Sequence, residues 1–136
     1  MAAPVELLRK VPLFAGLSDR DLGRLAQTFK ERRFSAGDEI ATEGKGGVGF
    51  FVIGEGTVSY SQGGEEKGTG GAGEYFGEIA LIDDGARSAS VTAVDDVTAY
   101  GLTSWEFRPL VEENASIAWE LLQALAKRLR ASLKNP

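Results

Sequence analysis

The run Gly73-Glu74-Tyr75-Phe76-Gly77-Glu78-Ile79-Ala80-Leu81-Ile82-Asp83-Asp84-Gly85-Ala86-Arg87-Ser88-Ala89-Ser90-Val91-Thr92-Ala93 packs several kinds of signal into one segment. A glycine turn at Gly73 leads into Phe76-Gly77-Glu78, where a short helix can begin. Ile79, Ala80, Leu81 and Ile82 make one apolar turn. Asp83-Asp84-Gly85 ends it, because glycine tolerates the positive φ of a helix terminus. Beyond Arg87, the residues from Ser88 to Ala93 alternate polar and apolar as a half-buried strand does.

Chemically the run describes a socket for a small anion. Gly77 permits close backbone approach, and the amides that open a helix are unsatisfied and partly positive. Arg87 supplies a planar, permanently charged fork, and Ser88 adds a hydroxyl beside it. Glu78 is repulsive to an anion unless it has another task, such as accepting a hydrogen bond from a sugar hydroxyl. A plainer account is also available for each residue: Ile79 to Ile82 as a buried turn, and Arg87 as a surface cation paired with Asp83 or Asp84.

Working outward, the strand-like texture extends back to Lys30. Arg32-Arg33-Phe34 leads to a turn at Ala36-Gly37-Asp38, and Glu39-Ile40-Ala41-Thr42 reads as a strand. Phe50-Phe51-Val52-Ile53 is the clearest buried strand. Thr57 to Ser61 is expected to be its partner across Gly54-Glu55-Gly56. Arg32-Arg33 suits a solvated strand edge. Lys67-Gly68-Thr69-Gly70-Gly71-Ala72 is a poor strand, since glycine packs nothing and loses more entropy on ordering; Tyr60 is the candidate to fill the wall left thin there. Asp95-Asp96 makes a turn before a strand from Val97 to Leu102.

Helices flank this region. Val5 to Lys10 is a short amphipathic turn ended by Pro12, and Leu13-Phe14 are expected anchors. Ser18 is the expected N-cap of a helix carrying Leu22, Leu25, Ala26 and Phe29 on one face. Ser104 is expected to cap a helix near Trp105, with Pro109 in about its first turn. Ser116 to about Leu133 reads as a long helix with an apolar stripe of Ile117, Leu121, Leu125 and Leu129, flanked by Trp119 and Leu122.

Composition narrows function. The 136 residues include 43% hydrophobic residues, enough for a core, and carry a net charge of −5 from 15 basic and 20 acidic side chains. An acidic chain argues against broad nucleic-acid binding. There is no cysteine and no histidine, which removes thiol chemistry, Ser-His hydrolysis and histidine-held metals. No apolar run is long enough for a bilayer and the start lacks a signal sequence, so the expected setting is cytoplasmic, with no membrane partner.

Phe76-Gly77-Glu78-Ile79-Ala80-Leu81, followed after an acidic turn by Arg87-Ser88-Ala89, resembles the phosphate-binding cassette of cyclic nucleotide-binding domains. Such domains occur in catabolite-activator-type regulators, cyclic-nucleotide-dependent kinases and gated channels. Val11-Pro12-Leu13-Phe14 with Leu17-Ser18 is similar to the family's helical lead. The acidic residue usual before the aromatic strand is replaced by Val48-Gly49.

The resemblance implies an α+β fold: a β-roll, or jelly-roll-like antiparallel barrel, flanked by N-terminal helices and a long C-terminal helix. It implies one domain over residues 1–136, with a helical lead at 1–30, the roll at 31–103 holding the cassette at 73–93, and C-terminal helices at 104–136. The implied ligand is cAMP or cGMP, with cAMP favoured on bacterial resemblance and no other cofactor. Arg87 would hold the cyclic phosphate and Glu78 the ribose 2′-hydroxyl. Phe76, Gly77, Ile79, Ala80, Ser88 and Ala89 would complete the cassette. Ser88 permits a guanine contact without demanding one. In the family's register Leu129 meets the ligand region and Ser132 reaches the adenine, whereas Leu133 replaces a second hydroxyl residue.

Implied partners are an unidentified effector protein or domain and a second copy of the chain, paired through the C-terminal helix along Leu121, Leu125 and Leu129. The DNA-reading module of catabolite-activator-type regulators would have to follow Pro136, so no nucleic acid is expected as a partner. No catalysis is expected. Two rival readings stay open: a relic domain that binds no nucleotide, and a small enzyme working through Glu78 and Asp83 or Asp84.

Overall fold

The strand Phe50–Glu55 (β3) is buried on both sides, and its neighbours follow from that. Successive side chains of a strand point to opposite faces. Phe50 and Val52 enter a core shared with the helices, while Phe51 and Ile53 enter a second core between two sheets. A computed structural model describes residues 3–42, 44, 49–77, 80–83 and 89–133 of the chain.

The other strands are β1 (Lys30–Phe34), β2 (Glu39–Ala41), β4 (Val58–Gln62), β5 (Glu65–Gly70), β6 (Tyr75–Phe76), β7 (Ser90–Ala93) and β8 (Val97–Leu102). They form two four-stranded sheets, ordered β1-β8-β3-β6 and β2-β7-β4-β5. Among the described residues the strand pairings are antiparallel. The sheets face each other as a roll and are not closed into a barrel, so the expected class holds in its roll form.

Helices α1 (Val5–Arg9), α2 (Asp19–Thr28), α3 (Ala80–Asp83), α4 (Ser104–Glu113) and α5 (Ala115–Leu133), with a 3-10 turn at Pro12–Phe14, complete the chain. Leu13, Phe14, Leu22, Leu25, Ala26 and Phe29 are buried, as the sequence pattern predicts, against Phe50, Val52, Tyr100 and Leu102. Ser18 caps α2, its hydroxyl accepting from the Asp21 amide at 3.2 Å. Arg32 and Arg33 lie exposed on β1, an edge strand.

The structure corrects several local expectations. The segment after Gly54-Glu55-Gly56 is not the partner of β3: β4 pairs with β5 and β7 in the opposite sheet. Gly56 has φ +95°, and a Cβ there would collide with the backbone oxygen of Asp96. The turn is fastened to the Asp95-Asp96 turn, where the Thr57 amide donates to Asp95 Oδ1 at 2.7 Å and the Val94 amide to the Thr57 carbonyl at 2.8 Å. What reads as a hairpin turn is a crossover between sheets.

The glycine-rich segment does form a strand. Gln62 and Glu65 are paired across Gly63-Gly64, both with positive φ, the geometry of a two-residue type I′ hairpin. The result is β5, an exposed edge strand.

At α4 the N-cap is Thr103 rather than Ser104. Thr103 and Glu106 form a reciprocal capping box, and Pro109 lies inside the helix rather than in its first turn. Along α5 the apolar stripe divides: Ile117 and Leu121 are buried and Leu125 packs partly on the core. Leu129 is 60% exposed, with Trp119, Leu122 and Leu133 similarly open.

Candidate functional site

Phe76 ends a strand at the edge of one sheet and Ser90 begins a strand of the other, so the segment between them connects the two sheets. Its entry is held firmly. The Ile53 amide donates to the Glu74 carbonyl and the Gly73 amide to the Ile53 carbonyl, both at 2.8 Å. The Gly71 amide also donates to Glu74 Oε2 at 3.2 Å. Phe76 then stacks on Phe51 with centroids 5.4 Å apart, and Tyr60 meets its edge at 6.2 Å.

Gly77 follows at φ +86°, a conformation that side chains other than glycine rarely adopt. Ala80 opens α3, and Leu81 of that helix is 4% exposed in the helical core while Ile82 is half exposed. Ala89 lies at a bend directly before β7. Glu78, Ile79, Arg87 and Ser88 lie outside the described residues.

Tyr60 lies on β4, half-buried beside Phe76. It pairs across β5 with Gly68 and across β7 with Val91. A Cβ on Gly70 would come within 2.7 Å of its hydroxyl, so the absence of a side chain at Gly70 is what seats the ring. Burial, and then the nearby Glu74 carboxylate, push the Tyr60 phenol above its ordinary value. It stays a protonated donor through neutral pH. Gly70 and Glu74 were not singled out in the sequence. The available signal was the hairpin register, which sets Gly70 diagonal to Tyr60.

Leu129 and Ser132 are not gathered with Tyr60 and Phe76. Both are exposed on the last turns of α5, which packs on the 3-10 turn and on α4. A groove of about 620 Å³ runs between α3, α4 and α5, lined among others by Leu81, Ile82, Trp105, Leu121, Leu122 and Leu125. Helix α3 itself packs against α4.

Among the described residues no His, Cys, Asp and Glu group is gathered that could hold a metal. No described helix is long and apolar enough to cross a membrane.

The family model described as cyclic nucleotide-binding domain matches residues 31–114. The cyclic AMP receptor protein of Thermus thermophilus is 33% identical over 88% of this chain and 57% of its own length. A cGMP-dependent protein kinase of Toxoplasma gondii is 35% identical over 91% of this chain and 12% of its own length. Among solved structures, the N-terminal domain of a transcriptional regulator from Streptomyces coelicolor A3(2) superposes with a TM-score of 0.87. It is 31% identical, covering 93% of this chain and 94% of that one. The chain thus spans about half or less of the length of these two curated relatives.

Proposed function

Since the chain belongs to the cyclic nucleotide-binding domain family, we propose that it binds cAMP in preference to cGMP and relays that event through α5. The observation that carries this reading is the framing of the cassette. Phe76 is fixed between Phe51 and Tyr60, Gly77 turns at positive φ, and Leu81 anchors α3 in the helical core. In this reading Arg87 holds the cyclic phosphate and Glu78 the ribose hydroxyl, with Ile79, Ala80, Ser88 and Ala89 around them. Tyr60 supplies the pocket wall, and the setting is the cytoplasm. The module is regulatory and not catalytic. The resemblance to a protein named as a cAMP receptor favours cAMP, and the resemblance to a cGMP-dependent kinase keeps cGMP as the alternative.

For the base to meet Leu129 and Ser132, α5 has to move from the position seen here, and that movement is the proposed relay to an effector. The exposed face of α5 is also the proposed seat of a second copy. Leu121 is buried, so the pairing face consists of Trp119, Leu122, Ala126, Leu129 and Leu133, all exposed. Their alternating spacing of three and four residues is the seam of a coiled coil. Calorimetric titration with cAMP and with cGMP tests the ligand reading: tighter binding of cAMP is expected, and binding of neither would sink it.

A further inference from the structure

Helices α4 and α5 meet at a single residue, Asn114, whose backbone is extended (φ −132°, ψ 90°). A one-residue joint between helices is a natural pivot, and here it is gripped from outside. Asp21 of α2 is 8% exposed, the only charged residue buried among those described. Its Oδ2 accepts the hydroxyl of Ser116, the second residue of α5, at 2.9 Å. One turn along α2, Arg24 Nη1 donates to Asn114 Oδ1 at 2.6 Å. Asn114 in turn donates through Nδ2 to the Leu110 carbonyl of α4 at 2.7 Å.

A carboxylate at the N-terminal end of a nineteen-residue helix is favoured by the helix dipole. A buried acceptor that loses its donor costs far more than an exposed one. The Asp21 contact therefore resists any rotation that would carry Ser116 away, while the exposed Arg24 contact adds orientation more than strength.

We infer that Asp21 and Ser116, assisted by Arg24 and Asn114, form a clamp that holds the α4–α5 joint in the position seen here and sets how readily α5 swings. This rests on the proposed relay through α5. Binding that needs the swung position is weakened by the fraction of molecules still clamped. Loosening the clamp therefore strengthens binding.

The chain has no cysteine, so Gln27→Cys on α2 and Arg130→Cys on α5 give two clean spin-label sites for a distance measurement. Ser116→Ala and Asp21→Asn are each expected to add a second distance in the absence of nucleotide, and Ser116→Thr to restore the single parental one. Saturating cAMP should bring the parent to that second distance, and the two loosened variants should bind cAMP about three- to tenfold more tightly. Distance distributions of both loosened variants that superimpose on the parent would overturn the clamp. So would a second distance accompanied by unchanged cAMP affinity. A second distance in a protein that binds no cAMP at all upholds the clamp and removes the nucleotide reading instead.

Discussion

The ring of Phe76 stacks on that of Phe51, with centroids 5.4 Å apart and planes 30° from parallel. Phe51 lies on β3, between β8 and β6, and itself meets Phe34 edge-on at 6.2 Å. The residue that precedes Gly77 is thus fixed by aromatic packing that runs into the inter-sheet core. Removing Phe51 takes away both contacts. Phe51→Ala is expected to lower stability by about 3–5 kcal/mol, read by urea unfolding. Phe51→Leu should recover much of that loss.

The capping box gives a second, smaller prediction. Thr103→Ala should cost about 1 kcal/mol. Burial alone would raise the Glu106 carboxyl, but the Thr103 hydroxyl and amide, with Lys30 at 3.3 Å, bring it below its ordinary value. A lowered folded pKa means that this contribution is present above the unfolded value and disappears as pH falls through the folded one. Glu106→Gln should therefore flatten the acid limb of the stability profile followed by circular dichroism.

The Tyr60 phenol has the opposite sign. Its folded pKa is raised, so the protonated form is favoured by folding and its contribution fades as pH rises beyond the unfolded value. Absorbance titration of the parent should contain a late step above the ordinary tyrosine range, and Tyr60→Phe should remove that late step. Gly70→Val is expected to push the ring out of place and abolish the late step without touching Tyr60 itself.

For self-association, Leu122→Glu combined with Leu129→Glu puts charge on the exposed seam and spares Ile117 and Leu121, which are buried. Sedimentation equilibrium is expected to show a dimer for the parent and a monomer for the double variant, with unchanged circular dichroism. A monomeric parent would contradict the pairing face.

Sequence reading succeeded where structure is decided locally. The cap at Ser18, the buried face of α2 and the buried strand from Phe50 to Ile53 each depend on neighbours within a turn or a strand. It failed at Gly54-Glu55-Gly56, where two strands close in sequence join different sheets, because the true partners of β3 arrive much later as β6 and β8. Thr103 and Ser104 are adjacent hydroxyl residues, and only the three-residue spacing from Thr103 to Glu106 separates them. The split of the α5 stripe into buried and exposed halves was not legible, since it depends on where the 3-10 turn and α4 end as supports.

The central claim of the proposed function is that Arg87 holds a cyclic phosphate. Isothermal titration of the parent and of Arg87→Ala with cAMP tests it most directly, with circular dichroism confirming an intact fold. The expected result is saturable binding by the parent and a dissociation constant weakened about 30- to 3,000-fold in Arg87→Ala. Equal affinity in the two proteins, or a parent that binds no cyclic nucleotide, would contradict it.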